Sequence, residues 1–127
     1  MKKILVLTIA IFSLFACSSD DENNLDPIIG TWYFFSYDGI EVDDCNKKST
    51  MFFYENGTFL STIYENKNST NNCQIKNTTK GTWSYKGKGY YEIIASSETS
   101  ENILKIVFSD NKNTFTAIEW FTAFKRK

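Results

Sequence analysis

The sequence contains no histidine. That absence removes the commonest general base near neutral pH, the usual base of nucleophile triads and the most frequent zinc ligand. An excess of positive charge is also missing, since 14 Lys and Arg stand against 15 Asp and Glu for a net charge of −1. Binding to phosphate backbones needs clustered cations, so nucleic acid is not an expected partner. Cysteine is scarce, with three in 127 residues and no C-x-x-C pair, which leaves no redox motif and no thiolate metal cluster. No apolar run reaches the roughly 20 residues that cross a bilayer as a helix. The longest, ILVLTIAIFSLFA at residues 4–16, has 13. No paired acid and base, activated nucleophile or metal cluster can be assembled from what is left, so neither catalysis nor a cofactor is expected.

The apolar run follows Met1, Lys2 and Lys3 and ends on a small residue, the layout of a secretory signal. Leu14, Phe15, Ala16 and Cys17 resemble the bacterial lipoprotein box, in which cleavage before the Cys leaves it to carry a diacylglycerol on sulfur and an acyl chain on nitrogen. The resemblance implies a signal peptide over residues 1–16 and lipid attachment at Cys17. The competing reading, an ordinary signal with an incidental Cys, is weighed down by the placement of Cys17 at the end of the run. Two or three acyl chains hold a protein on a bilayer durably where one does so only marginally, so the bilayer becomes an expected partner. Residues 17–27 begin CSSDDENN and read as a flexible, solvated tether. That stretch is similar to the acidic signal that sends lipoproteins of Bacteroidetes to the outer face of the outer membrane. The expected protein is therefore an exported outer-membrane lipoprotein, with exposure at the cell surface left open because any polar linker would carry such charges.

Residues 28–127 are enough for one domain with one core. Short runs rich in Thr, Ile, Tyr, Phe and Trp, broken by Gly, Asn, Asp and Ser, predict an all-β domain with strands at 31–37, 49–55, 58–64, 80–86, 90–96, 103–109 and 113–124. Tight turns at Asn56–Gly57, Gly87–Gly89 and Asp110–Lys112 alternate with longer connections at 38–48, 65–79 and 97–102. In an up-and-down antiparallel barrel this parity closes one end with hairpins and puts the long loops at the other. Cys45 and Cys73 both fall in long loops and form an even pair in an exported chain, so a disulfide between them is expected. The N-terminal tether then leaves from the tight-turn end.

Gly30-Thr31-Trp32 opens the first strand and Gly81-Thr82-Trp83 the fourth. Together with Cys45, Asn56-Gly57-Thr58-Phe59 and Cys73, they resemble the lipocalin-like lipoproteins common in Bacteroidetes. The resemblance implies a small barrel of seven to eight strands, Trp32 plugging its closed end and Arg126 laid over that Trp. One departure stands out: residues 113–124 contain no Gly, Pro, Asp or internal Asn to turn a final hairpin. A seven-strand closure would leave the first and last strands parallel, so the segment either bends sharply at 119–121 or leaves the barrel partly open.

The inward-facing series gives Trp32, Phe34, Phe53, Phe59, Trp83, Tyr85, Ile93, Leu104 and Phe108 as the residues that would line a cup for a small hydrophobic ligand. So many aromatics could equally fill the interior of a barrel this small. The expectation is a mostly filled interior with at most a shallow apolar pocket under the long loops. Two functions follow: an anchored lipoprotein binding a small apolar ligand, or a structural or protein-interaction module of the cell envelope with a filled barrel. Tyr33, Phe35, Tyr37, Phe52 and Tyr54 share the outer face of the first two strands, either as a partner surface or under a covering segment. Asp38, Glu41, Asp43 and Asp44 lack calcium-loop spacing and read as a solvated loop. The mixed bases and aromatics from Tyr85 to Tyr91 read as a hairpin with Lys at its tip.

Overall fold

The structure, a computed structural model, describes residues 24–69 and 71–127. The expected signal peptide, Cys17 and most of the expected tether lie outside the described residues. Nine strands form one sheet: β1 (Gly30–Tyr37), β2 (Ile40–Glu41), β3 (Thr50–Phe53), β4 (Thr58–Asn66), β5 (Cys73–Gly87), β6 (Tyr90–Ala95), β7 (Asn102–Phe108), β8 (Thr114–Ala117) and β9 (Thr122–Arg126). The two-residue β2 folds back on the end of β1. The other eight pair with their sequence neighbours, and β9 pairs antiparallel with β1, which closes the barrel. The all-β, antiparallel up-and-down expectation holds, with eight strands around the barrel.

Two boundaries differ from the sequence expectation. Of the two alternatives for 113–124 the sharp bend is the one found: the strand is split into a hairpin by a 3-10 turn at Ile118–Trp120 and by Phe121 in the left-handed region at φ 52°. Tertiary contacts hold this turn where no turn residue does: the Asp38 amide donates to the Phe121 carbonyl (2.7 Å), and the Lys105 amide donates to Glu119 Oε2 (2.7 Å). The Thr122 hydroxyl donates to the Trp120 carbonyl at 2.8 Å. The second difference is the expected long connection at 65–79, most of which is strand. β4 and β5 continue as a ladder out to Asn66 opposite Cys73. Residues 74–78 are exposed, so this stretch has no apolar alternation by which a sequence reading could find it.

Parity places the connections as expected. Short ones, such as Lys88–Gly89 with both residues at positive φ, lie at one end, and the longer ones lie at the other together with the tight turn of the last hairpin. Cys45 and Cys73 are joined as a disulfide at the long-loop end, with their Cα atoms 5.5 Å apart. Loop closure over their separation of 28 residues constrains the unfolded chain by about 3.5 kcal/mol.

The closed half of the barrel is packed solid. Trp32, Phe53, Phe115 and Ile28 are its largest fully buried side chains. Trp32 meets Phe115 edge-on at 4.7 Å between ring centroids and donates from Nε1 to the Ile28 carbonyl at 2.6 Å. The chain therefore enters the barrel from beneath: Ile28 sits under the plug, and Asp26 accepts a hydrogen bond from the Tyr91 hydroxyl at 2.7 Å. Arg126 seals the same end. Its guanidinium carbon lies 4.2 Å from the Trp32 ring centroid, while Nη1 donates to the Ile29 carbonyl (3.0 Å) and Nη2 to that of Pro27 (2.8 Å). Only the hairpin at 118–121 lets Arg126 return to Trp32.

Candidate functional site

The upper half of the barrel is not filled. Where β3, β4 and β5 run side by side, Met51 stands opposite Ser61 and Ser61 opposite Thr79, a row with one long side chain and two short ones. A level below, Phe59 stands opposite Gly81 and Gly81 opposite Ala95. A Cβ on Gly81 would lie 2.6 Å from the Phe59 ring and 2.0 Å from the Ile94 carbonyl oxygen. Gly81 thus lets Phe59 lie flat across the barrel, where its buried ring serves both the lower core and the floor above it. Small residues over a flat aromatic floor leave a cavity of about 320 Å³. That volume lies at the lower end of small-molecule sites, which run from about 300 Å³.

The cavity wall is mostly apolar, formed by Phe34, Met51, Phe59, Ile93, Trp120 and Phe124. Hydroxyls of Ser49, Ser61, Thr79 and Thr122 interrupt it. Three of these are already engaged: Ser49 Oγ accepts from the Tyr64 amide at 2.9 Å, the Thr79 hydroxyl donates to Asn77 Oδ1 at 3.3 Å, and the Thr122 hydroxyl is the donor to Trp120 described above. Among the described residues no side chain or amide holds the Ser61 hydroxyl. Glu98 and Asn102 complete the lining, where β6 crosses to β7, and their side chains are 3.5 Å apart. Among the described residues Glu98 is the only charged one of the lining.

Of the nine residues expected to line a cup, three do so: Phe34, Phe59 and Ile93. Trp32, Phe53 and Leu104 are buried in the solid core, with Trp83 and Phe108 packed against it. Tyr85 does not reach the cavity. It is 52% exposed, and its ring lies tilted against that of buried Tyr91 at 5.1 Å near the irregularity between Tyr85 and Gly87. Trp120, Thr122 and Phe124 were not named as cavity residues in the sequence reading, because it left open whether 113–124 bends or runs on. The failure of alternation after Ala117 was the signal available.

Outside the cavity, the acidic loop is held by its own neighbours. Glu41 is hydrogen-bonded to Lys47, which lowers the carboxyl's pKa and raises that of the ammonium. Asp43 Oδ1 accepts from the Asn46 amide at 2.8 Å. On the outer face Tyr33, Phe35 and Phe52 are half-buried, with the Lys125 ammonium 3.5 Å from the Phe35 ring centroid. Tyr37 and Tyr54 remain exposed.

An eight-stranded antiparallel barrel, sealed below by a tryptophan under an arginine and hollow above, defines a cup-shaped β-barrel. The chain belongs to the lipocalin-like domain family, whose model matches residues 28–117. The final hairpin turn, β9 and Arg126 lie beyond the matched stretch. No curated protein and no solved structure matches the chain significantly.

Proposed function

We propose that the mature protein is an exported lipoprotein, acylated at Cys17 and held at the outer membrane, whose barrel binds a small apolar ligand. The observation that carries the binding half is the cavity: apolar walls, a few hydroxyls, and an opening at the end opposite the chain's entrance. It favours the cup over a filled interaction module. Anchoring rests on the sequence, and the barrel adds a direction to it. Residues 26–28 approach from the sealed end, so a tether there leaves the mouth facing away from the bilayer. No catalysis is assigned.

Titrating the purified soluble domain with the neutral fluorophore N-phenylnaphthylamine tests this reading. Saturable, one-to-one enhancement is expected, and Ser61→Leu, which puts a larger side chain into the cavity, should weaken it at least tenfold while the circular dichroism stays unchanged. A linear, non-saturating response from the wild type refutes the cup. In cells, Cys17→Ala should abolish incorporation of labelled palmitate and release the protein from the membrane fraction. Retention of both refutes the anchor.

A further inference from the structure

The charge of the lining carries the argument one step further, resting on the cup reading. Among the described residues the cavity is lined by one carboxylate and by neither Lys nor Arg, and Glu98 stands at its edge beside Asn102. The connections around the mouth carry the same sign. Asp38, Glu41, Asp43 and Asp44 lie in the first, Glu98 and Glu101 in the third and Glu119 in the fourth, against Lys47, Lys48 and Lys67. Lys47 is itself engaged with Glu41. An anionic head leaving water for this mouth would gain no ion pair and would face the exposed Glu98 carboxylate, whose repulsion salt screens. A cationic head would meet that carboxylate, and near the wall it would meet the aromatic rings of Trp120 and Phe34, a ring type that attracts positive charge.

We infer that the cup selects by charge, accepting amphiphiles with an ammonium head and excluding fatty-acid anions of the same chain length. An uncharged head falls between them, with the hydroxyl of Ser61 as a hydrogen-bonding partner. At separations of several ångströms near a protein surface, one charge contributes about a tenfold difference in affinity between opposite heads.

The test is calorimetric titration of the soluble domain with decylammonium, decanol and decanoate, each below its micelle concentration, at low and high salt. Decylammonium should bind at least tenfold tighter than decanoate, with decanol between, and salt should narrow the gap. Glu98→Lys, a substitution at an exposed loop position, should narrow the gap at least threefold. Decanoate binding as well as decylammonium while decanol also binds overturns charge selection but leaves the cup standing. A gap unmoved by Glu98→Lys overturns the part assigned to Glu98. Failure of all three to bind overturns the cup itself, and this proposal with it.

Discussion

Replacing Arg126 with Ala tests whether the closed end is latched or merely decorated. In the native barrel its guanidinium donates to two partly buried carbonyls, those of Ile29 and Pro27, and more weakly to the exposed Lys112 carbonyl at 3.2 Å. Hydrogen bonds from a charged donor contribute about 1.5–3 kcal/mol each, and stacking over Trp32 adds about 0.5–2 kcal/mol. Partial exposure of the guanidinium discounts both contributions. Arg126→Ala should therefore cost about 3 kcal/mol, a large share of the 5–15 kcal/mol typical of a domain. At about 4–8 °C per kcal/mol, the melting midpoint should fall by about 12–24 °C. Arg126→Lys keeps the charge but loses the planar fork and the stacked face, so it should recover no more than about a third of the loss. Urea denaturation of the three proteins, with the slope of each transition unchanged, measures these differences directly. A loss below about 1 kcal/mol for Arg126→Ala, or full recovery by Lys, refutes the latch. Ligand affinity well below the melting range should be unchanged, because Arg126 lies at the end away from the cavity.

Two further perturbations test the rest of the scaffold. The double substitution Cys45→Ser/Cys73→Ser should lower the stability measured in urea by about 3.5 kcal/mol, and dithiothreitol should do the same to the wild type but nothing to the variant. Burial first, then its hydrogen bond to Asp26, raises the pKa of the Tyr91 hydroxyl above its ordinary 10.0. The unfolded chain ionises that group first, so its contribution is fully present below about pH 10 and is lost as the pH rises further. Tyr91→Phe should show a shallower alkaline loss of stability than the wild type in matched urea titrations, and identical slopes would refute this origin.

What could be read from the sequence depended on whether a feature was written in residue type or in the space between residues. Asn56–Gly57 and Lys88–Gly89 mark their turns chemically, and the strands they join were legible. Cys45 and Cys73 were legible through parity. The last hairpin was legible only as one of two alternatives, because Phe121 adopts a left-handed conformation that aromatic residues rarely take, and contacts holding it come from Asp38 and Lys105, outside the segment. The outer ends of β4 and β5 were hidden for a different reason: with residues 74–78 in solvent, nothing selects an apolar alternation. The cavity was least legible of all. It exists because Ser61, Thr79 and Ala95 are small and Gly81 lets Phe59 lie flat, and apolar periodicity reports which residues face inward without reporting how much room they leave.

The same division explains where the strongest constraints sit. A barrel of this size has barely enough interior for one core, and leaving half of it open forgoes burial that the other half must offset. The aromatic layer beneath the floor, latched by Arg126, makes the lower half self-sufficient. The upper half has no such packing, and it is there that the disulfide ties the connection between β1 and β3 to the start of β5. A covalent tie acts on the unfolded chain and needs no side chains inside the cup. The mouth is thereby held without being filled. Because the floor and latch do not depend on the loops above them, changes at positions such as Glu98 should alter what enters the cup while leaving the barrel's stability almost untouched.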